Sequence, residues 1–593
     1  MMDFYGFYTG KIFDAYEWLG AHVVEKGVVF RTFAPSAKGA VLLWNNEAIP
    51  MQRVNDGNFY EVYVADAKAG DLYEYRIYGQ NNEPVEHCDP YGFGMELRPN
   101  HKSVIRNLHD YQFQDERWMK SRCDRKEKPL NIYELHLGSW RKKSEEATGW
   151  YSYDEIAEPL ITYLREAGYN YVEFLPLSEH PCDESWGYQN TGFFAPTSRY
   201  GTMNQLKALI DKLHQNGIGA ILDYVPVHFA VDSYGLTKYD GTALYEYPHT
   251  DVGVSEWGSS NFMHSRGEVR SFLQSAANYW LKEYHFDGLR MDAISRIIYW
   301  QGDEKRGVNG NAVEFIKLMN QELKRRNPGC LLVAEDSTNF QNVTKAVDQG
   351  GLGFDYKWDM GWMHDTLEYF QTGPEYRTQN YHKLTFSMYY FRNENYLLPL
   401  SHDEVVHGKG TIMQKMNGQY EVKFPQAKAM YLYMMVHPGK KLNFMGNEFG
   451  QLREWDEKRE QDWELRKYPI HDSFYQFMKE LNHIYLKHPS LSEWDYKEEG
   501  FQWLDCHQEG RCIYAILRQS KNEKLAAVFN FSAQVQKDYE VKIENLNSGD
   551  ILLYSDWNRF GGQTPEGVEK VQFDNGTLRC NLNPFSAMIF SVK

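Results

Sequence analysis

The N-terminal part of the chain alternates apolar and polar positions in short runs. Four of these runs lie between about Gly27 and Leu108, separated by Gly, Pro, Asn and Asp residues: VVFRTFAP, AVLLWNN, NFYEVYV and LYEYRIYG. Alternation with a period of two, interrupted by turn-forming residues, is typical of strands that bury one face. We therefore predict a β-sandwich over residues 1–117. The charged stretch QDERWMKSRCDRKEKP has no apolar face of either period and marks the boundary near residue 118.

From residue 118 to residue 488, apolar runs alternate with amphipathic helical stretches. Eight of the runs are typical of strands: NIYELHLGS, YVEFLPL, IGAILDYVPV, GLRMDAI, LLVAEDS, FDYKWDM, NYLLPLSHD and KKLNFMGNEF. Strands of a parallel sheet are buried on both faces, so their sequences are apolar without interruption. Eight such strands with intervening helices predict a (β/α)8 barrel.

The connections and the C-terminal end complete this prediction. The helix in TMNQLKALIDKLHQNG begins at a capping residue, Thr202, and ends at Gly217. The segment 229–266 is too long for an ordinary βα loop, so we expect it to build part of a substrate cleft. Short alternating runs return over residues 489–593 and predict a second β-sandwich. The predicted fold class is multidomain α/β, a central (β/α)8 TIM barrel flanked by an N-terminal and a C-terminal β-sandwich.

Composition excludes some classes of partner. The chain has 81 acidic and 64 basic residues, a net charge of -17, and no Lys or Arg run suited to phosphates, so we expect no nucleic acid partner.

Seven scattered Cys lack zinc-site spacing. A secretion signal and an apolar stretch of about 18 residues are both missing. We expect a cytoplasmic monomer that needs no membrane, metal or cofactor. The 43 Tyr and 16 Trp include rings that can stack on sugars, although the core accounts for most of them.

Polar residues close four of the predicted barrel strands. They are Asp223 and His228, Arg290 and Asp292, Glu335, and His402 and Asp403. Strand ends of such a barrel meet at the active-site mouth, and retaining cleavage of a glycosidic bond needs a carboxylate nucleophile and a carboxylic acid roughly 5 to 5.5 Å apart. Each acid alone could instead form a structural salt bridge or a helix cap. Together, at several strand ends, they indicate a glycoside-cleaving site. Arg290 points to the same face as Asp292, two residues later, and can hold it ionised.

At these residues the chain resembles the α-amylase superfamily, whose short conserved regions correspond to DYVPVH, GLRMDAI, VAEDS and LPLSHDE. Within it, the chain is similar to glycogen and starch branching enzymes. Longer blocks carry that similarity: AYEWLGAH, WGYQNTGFFAPTSRYG, YDGTALYE, GLGFDYKWDMGWMHDTL, LPLSHDEVVHGKG and FMGNEFGQLREWD. Long blocks in the same order are more specific than any short motif.

The resemblance implies a retaining transfer on an α-glucan such as amylose or glycogen, which serves as donor and acceptor. Asp292 would be the nucleophile, Glu335 the general acid and base, and Asp403 the third carboxylate. It further implies supporting or substrate-binding roles for six residues: Tyr188, Asp223, His228, Tyr245, Arg290 and His402. The N-terminal sandwich would be a glycogen-binding-type module. No metal or cofactor is implied.

Two departures and two alternatives remain open. The family often has a second Glu after its acid, where this chain has Asp336, and the stretch GDEKRGVNGNAVEF is shorter and richer in Gly than is usual in the family. A hydrolase of the same superfamily would share the carboxylates and the intermediate, and would differ only in using water as acceptor. A non-catalytic glucan-binding barrel is the second alternative, and the presence of all three carboxylates disfavours it.

Overall fold

The computed structural model describes residues 2–544, 548–568 and 571–593. The chain forms two compact units. The first consists of Met1–Cys123, His136–Leu160 and Glu173–Asp355. The second consists of Asp124–Leu135, Ile161–Val172 and Tyr356–Lys593. Each unit therefore gathers segments that are distant in the sequence.

Two antiparallel sheets form the N-terminal part of the first unit. One contains, in spatial order, Gly20–Val23, Val28–Phe33, Phe59–Val64 and Gln52–Val54. The other contains Glu47–Pro50, Gly39–Trp44, Leu72–Tyr78 and Pro84–His87, with Ser103–Val104 paired to Leu72–Tyr78. The rings of Phe30 and Tyr73, one from each sheet, pack edge to face with centroids 5.0 Å apart. The predicted N-terminal β-sandwich is confirmed.

Eight strands close a barrel in chain order. They are Asn131–Leu135, Tyr171–Phe174, Gly219–Tyr224, Gly288–Met291, Leu331–Ala334, Tyr356–Trp358, Tyr396–Leu400 and Lys440–Phe444. Each lies within one of the eight apolar runs, and nearly every residue in them is buried. The predicted barrel is therefore confirmed, because uninterrupted apolar sequence is what burial on both faces of a parallel sheet requires.

Helices connect these strands. The α-helices of the described residues are Phe4–Tyr8, Glu116–Ser121, Leu137–Trp140, Tyr153–Ala167, Met203–Gln215, Thr250–Gly253, Gly267–Glu283, Ser295–Ile298, Gly310–Arg326, Met360–Gln371, Lys383–Tyr390, Ile412–Lys415, Tyr420–Val436 and Pro469–Lys487. As predicted, Thr202 caps Met203–Gln215, where it forms a capping box with Gln205. The backbone at Gly217 has a φ of 75°, a conformation that favours glycine after a helix.

The segment 229–266 between the third strand and its helix has structure of its own. His228–Phe229 pairs with Ser260–Asn261 in a short antiparallel ribbon. The helix Thr250–Gly253 comes between these two strands in the sequence. A further ribbon, Ser178–Glu179 with Gly192–Pro196, follows the second barrel strand. These ribbons fix long connections by backbone hydrogen bonds instead of leaving them as open loops.

The C-terminal part of the second unit is all β. One sheet contains Phe501–Gln508, Ile513–Gln519, Lys524–Asn530, Ser586–Ser591 and Ile551–Tyr554, and the other contains Gln536–Lys542, Thr577–Leu582 and Val571–Asp574. Phe573 and Phe590 pack between them, with ring centroids 5.6 Å apart. This agrees with the predicted C-terminal β-sandwich. Among the described residues, no helix is both long and apolar enough to span a membrane.

A buried ionic network ties helix Met203–Gln215 to the start of the fourth strand. His214 lies 2.7 Å from an Asp115 carboxylate oxygen and 2.9 Å from one of Asp287. Asp287 also accepts the Ala220 backbone N–H at 2.8 Å. Burial alone would lower the pKa of His214, but the two carboxylates outweigh it and raise that pKa to about 9. Despite burial, their contacts with His214 hold the pKa values of Asp115 and Asp287 below the ordinary value of 3.8.

We expect His214→Gln to lower the free energy of unfolding by about 3 kcal/mol at pH 6.5, because it removes the cation that both buried carboxylates share. His285 still contacts Asp115, and Arg122 lies 3.9 Å from Asp287, so the loss should be at the low end of the range for breaking a buried ion pair. The folded-state pKa of His214 lies above its ordinary value of 6.5, so its contribution is complete below that pH and is lost as pH rises through about 9. Urea denaturation at pH 6.5 and pH 9.5 should show the difference between parent and variant shrinking at the higher pH. An equal difference at both pH values would contradict this account.

Candidate active site

Arg290, in the fourth barrel strand, joins three carboxylates in the first unit. Its side chain is fully buried. Nη1 donates to both carboxylate oxygens of Asp223 at 2.7 Å and to Oδ1 of Asp292 at 2.8 Å. Nη2 donates to Oε2 of Glu335 at 3.3 Å. A planar guanidinium presents several donors in a fixed fork, which makes it the side chain suited to hold three carboxylates at once.

The strand register explains how four sequence-predicted residues meet. Asp223 in the third strand is the direct partner of Arg290 in the fourth. Asp292 is two residues beyond Arg290 and therefore faces the same side. The backbone N–H of Asp292 donates to the backbone carbonyl oxygen of Tyr224 at 3.0 Å. The backbone N–H of Glu335 donates to the carbonyl oxygen of Met291 at 3.2 Å. The parallel ladder thus continues to the strand tips, and Asp292 and Glu335 are fixed by backbone hydrogen bonds.

Exposure separates the roles of the three carboxylates. The side chains of Asp292 and Glu335 are 15% and 17% exposed, whereas that of Asp223 is 1% exposed. The solvent can therefore reach Asp292 and Glu335 but not Asp223, whose contacts are with Arg290 and Tyr188. Burial opposes the positive charge of Arg290, but Asp223 above all, with Asp292 and Glu335, raises its pKa well above the ordinary value. Arg290 is therefore a permanent cation within hydrogen-bond distance of all three carboxylates.

The two oxygens of Glu335 have different surroundings. Oε2 accepts the backbone N–H of Ala293 at 2.7 Å as well as Nη2 of Arg290. Ala293 has a φ of 45°, in the left-handed region that residues other than glycine seldom adopt, and this turn directs its N–H at Glu335. Because both N–H donors reach Oε2, a proton on Glu335 belongs on Oε1. The strained residue directly after Asp292 thus orients the acid.

Tyr188 is anchored to the same cluster. Its half-buried side chain donates its hydroxyl hydrogen to Oδ2 of Asp223, and Nη1 of Arg290 lies 3.4 Å from the hydroxyl oxygen. The guanidinium carbon is 6.0 Å from the ring centroid. The ring is therefore held in one orientation beside the carboxylates.

His228 is a neutral, buried imidazole. Burial lowers its pKa to about 4. Its Nδ1 is buried and has no hydrogen-bond partner within the described part of the chain. Its ring centroid lies 5.2 Å from that of Trp257, in the segment 229–266. A buried nitrogen of this kind is available to a ligand hydroxyl.

The second unit holds the other two predicted strand-end residues. Asp403 follows the seventh strand, and its side chain is 42% exposed. Its Oδ1 lies 3.5 Å from Nε2 of His402. His402 donates its backbone N–H to Glu134 at 2.8 Å, and its Nδ1 lies 2.6 Å from the other Glu134 oxygen. Glu134 is not among the residues predicted from the sequence, where its one signal is an acid inside the run NIYEL.

Tyr245 and Asp336 are both buried, which leaves little of either side chain to face a cleft. Tyr245 is buried in aromatic packing, with its ring centroid 5.1 Å from Phe272 and 6.2 Å from Tyr239. Asp336 is buried, and its Oδ1 accepts the backbone N–H of Thr338 at 2.9 Å and its hydroxyl at 2.8 Å. The shorter acid at position 336 therefore closes a turn. Within the described residues, no three His, Cys, Asp or Glu side chains are grouped to hold a metal.

The chain matches the sequence models of three families. Residues 18–92 match "Carbohydrate-binding module 48 (Isoamylase N-terminal domain)". Residues 143–239 and 256–544 match "Alpha amylase, catalytic domain", and residues 503–593 match "Alpha amylase, C-terminal all-beta domain". Among solved structures, a putative α-amylase from Salmonella typhimurium has a TM-score of 0.73 at 19% identity and covers 97% of this chain and 100% of its own. The barrel and its match to the catalytic-domain model define an α-amylase-type protein.

Curated relatives narrow the class. The 1,4-alpha-glucan branching enzyme GlgB of Geobacillus stearothermophilus is 41% identical over 575 residues, covering 95% of this chain and 90% of the relative. The 1,4-alpha-glucan branching enzyme GlgB of Bacillus subtilis strain 168 is 41% identical over 590 residues, covering 97% of this chain and 94% of the relative. The chain belongs to the family of 1,4-α-glucan branching enzymes.

We expect Arg290→Lys to reduce activity on amylose on the order of 10²-fold, because one ammonium cannot hold three carboxylates in place, and small displacements of reacting groups have effects of that size. The free energy of unfolding should also fall, by about 3 to 5 kcal/mol. Loss of iodine colour measures activity, and urea denaturation measures stability.

Arg377→Lys is the matched control for this prediction. Arg377 is equally buried but donates to the backbone oxygens of Phe531 and Phe370 in the second unit. Its replacement should lower stability without a comparable loss of activity per folded molecule. If both variants lose activity only in proportion to stability, the role given to Arg290 is wrong.

Proposed function

We propose that this chain is a 1,4-α-glucan branching enzyme that cleaves an α-1,4 bond in a linear glucan and transfers the released piece to a glucan 6-hydroxyl, which forms an α-1,6 branch. The single observation that carries the chemistry is the joining of Asp223, Asp292 and Glu335 by Arg290. The branching assignment rests on the near full-length similarity to the two branching enzymes above.

In the first step, a carboxylate oxygen of Asp292 attacks the anomeric carbon of the donor. The bond from that carbon to the leaving 4-oxygen breaks, and Glu335 gives its proton to this oxygen. Oε2 of Glu335 is held by two N–H donors, so Oε1 carries the transferred proton. The product is a glycosyl ester on Asp292 and a shortened glucan with a new 4-hydroxyl end.

In the second step, Glu335, now a carboxylate, takes the proton of an acceptor 6-hydroxyl. That oxygen attacks the anomeric carbon, and the ester bond to Asp292 breaks. Two inversions at one carbon give net retention, so the new linkage is again α. Arg290 holds Asp292 through both steps, which stabilises it as a leaving carboxylate.

The other sequence-predicted residues take supporting roles in this proposal. Asp403 is the third carboxylate and binds sugar hydroxyls, because it follows a barrel strand and is well exposed. Tyr188 stacks on the sugar whose bond breaks, while His228 and His402 bind hydroxyls. Asp223 supports Arg290. The ring of Tyr245 is packed in the core, so this residue shapes the wall of the cleft without contacting the sugar.

The remaining expectations are part of the same proposal. The domain boundaries are residues 1–117, 118–488 and 489–593, and the first of these domains binds glucan. Amylose and glycogen serve as donor and acceptor in glycogen biosynthesis. The enzyme acts in the cytoplasm as a monomer, without cofactor, metal or nucleic acid. The net charge of -17 supports the last point, because it disfavours phosphate backbones.

Asp292→Asn should reduce glucan cleavage by roughly 10⁴-fold or more, because an amide of nearly the same shape cannot attack the anomeric carbon. The thermal midpoint should change little, since the amide oxygen still accepts from Arg290. Cleavage is measured as loss of iodine colour with amylose. A variant within tenfold of the parent would show that Asp292 is misassigned.

Product analysis with linear amylose tests transfer against hydrolysis. Water is present at about 55 M, and a glucan 6-hydroxyl outcompetes it only when the acceptor is held in line, since effective molarities of oriented groups greatly exceed that figure. We expect iodine colour to fall and α-1,6 linkages to accumulate while the number of reducing ends stays almost constant. If reducing ends rise in step with the loss of colour and no α-1,6 bonds form, the protein is a hydrolase.

A further inference from the structure

Glu134 lies in the first barrel strand, Asn131–Leu135, with its side chain wholly buried. Both of its carboxylate oxygens contact His402. One accepts the backbone N–H at 2.8 Å, and the other lies 2.6 Å from Nδ1 of the imidazole. His402 is itself 3% exposed. A carboxylate has no hydrogen to donate, so Nδ1 carries one and donates it to Glu134.

This pair of bonds fixes the imidazole in space. One bond holds the main chain of His402 and the other holds its ring, so the ring cannot turn over without losing a charge-assisted hydrogen bond. The rings of Phe444 and Trp455 pack around it, with centroids 6.0 Å and 6.1 Å away. With Nδ1 bound to Glu134, Nε2 is the ring nitrogen on the side of Asp403, 3.5 Å from its Oδ1.

Stability alone does not account for an acid at this position. Removing a carboxylate from water has a cost that its partner only partly offsets, and apolar side chains of similar volume serve a core as well or better. Every other residue of the strand Asn131–Leu135 is buried too, so an apolar residue would suit the position. Both carboxylate oxygens of Glu134 contact His402, a residue of the proposed active site. The acid at this position is therefore better explained by the orientation that it gives to His402.

We propose that Glu134 is a positioning residue that fixes the tautomer and the orientation of His402, so that Nε2 is presented beside Asp403 to the bound glucan. Glu134 touches neither substrate nor reacting atoms and acts through His402. This inference rests on the proposed function only in that His402 takes part in glucan cleavage, and it holds for hydrolysis as well as for transfer.

The test is a double-mutant cycle between Glu134→Gln and His402→Ala, measured as initial loss of iodine colour with amylose. Glutamine keeps the shape of Glu134, but its NH2 group cannot accept a hydrogen bond, so one of the two contacts with His402 is lost. We expect kcat to fall by about 10-fold to 100-fold with KM changed less than threefold, which is the scale for losing a hydrogen bond to a charged group. In the His402→Ala background, Glu134→Gln should change kcat by less than about threefold.

Glu448→Gln is the matched control. Glu448 is equally buried and accepts the hydroxyl of Tyr133, next to Glu134, at 2.9 Å, and the backbone N–H of Gly446 at 2.8 Å. Its replacement should leave kcat within threefold of the parent. Glu134→Asp keeps both acceptor oxygens on a shorter stem and should give a kcat between those of the parent and Glu134→Gln.

Several results would overturn the proposal. The first is a kcat of Glu134→Gln within threefold of that of the parent. The second is a fall in kcat from Glu134→Gln that is just as large in the His402→Ala background. The third is an equal fall in kcat in Glu448→Gln. If Glu134→Gln does not accumulate as folded protein, the same cycle is run with Glu134→Asp, and additive losses there would refute it. Iodine colour falls in both branching and hydrolysis, so a failed branching assignment leaves this cycle interpretable.

Discussion

The chemistry of this protein depends on one buried cation. Arg290 is fully enclosed, and its guanidinium joins Asp223, Asp292 and Glu335. Without it, the negative charges of three neighbouring carboxylates would repel one another. With it, the proposed nucleophile Asp292 and the proposed acid Glu335 are held by one guanidinium while both side chains remain partly exposed to the solvent. Asp223 is hidden from the solvent, and both of its carboxylate oxygens accept from Arg290.

The barrel makes this arrangement possible through its register. Asp223 and Arg290 are direct partners on adjacent parallel strands, and Asp292 follows Arg290 by two residues on the same face. Beyond the strands, Ala293 adopts a left-handed turn that aims its N–H at Glu335. Strain of this kind persists only where surrounding structure fixes it. The hydrogen-bonded strands supply that constraint, so Glu335 and Asp292, the proposed acid and nucleophile, are oriented without a bound ligand.

Much of this could be predicted from the sequence, for a physical reason. All eight barrel strands are buried on both faces, which leaves mainly apolar runs, and the clusters of polar residues that close four of them stand out. Contacts between distant residues leave no such pattern. Asp115 and His214 are 99 residues apart, and nothing local in either segment indicates that they meet. Glu134 was missed because one acid in an apolar strand has the same appearance whether it is a site residue or a satisfied core group. The turn at Ala293 was missed because no residue type there requires it.

The two histidines predicted at strand ends show why residue type alone does not define a role. His228 is buried without a carboxylate, so desolvation lowers its pKa to about 4 and it stays neutral. His402 is buried to a similar extent but lies between Glu134 and Asp403, at 2.6 Å and 3.5 Å. A neutral imidazole whose Nδ1 has no partner in the described part of the chain, as in His228, can be donor or acceptor to a hydroxyl. An imidazole whose Nδ1 is committed to a carboxylate presents only Nε2, in one direction. His228 is therefore suited to tolerate variation in how a sugar sits, whereas His402 is suited to enforce a single position next to the exposed carboxylate of Asp403. That difference arises from one buried glutamate on the first strand, in a segment that itself carries none of the predicted site residues.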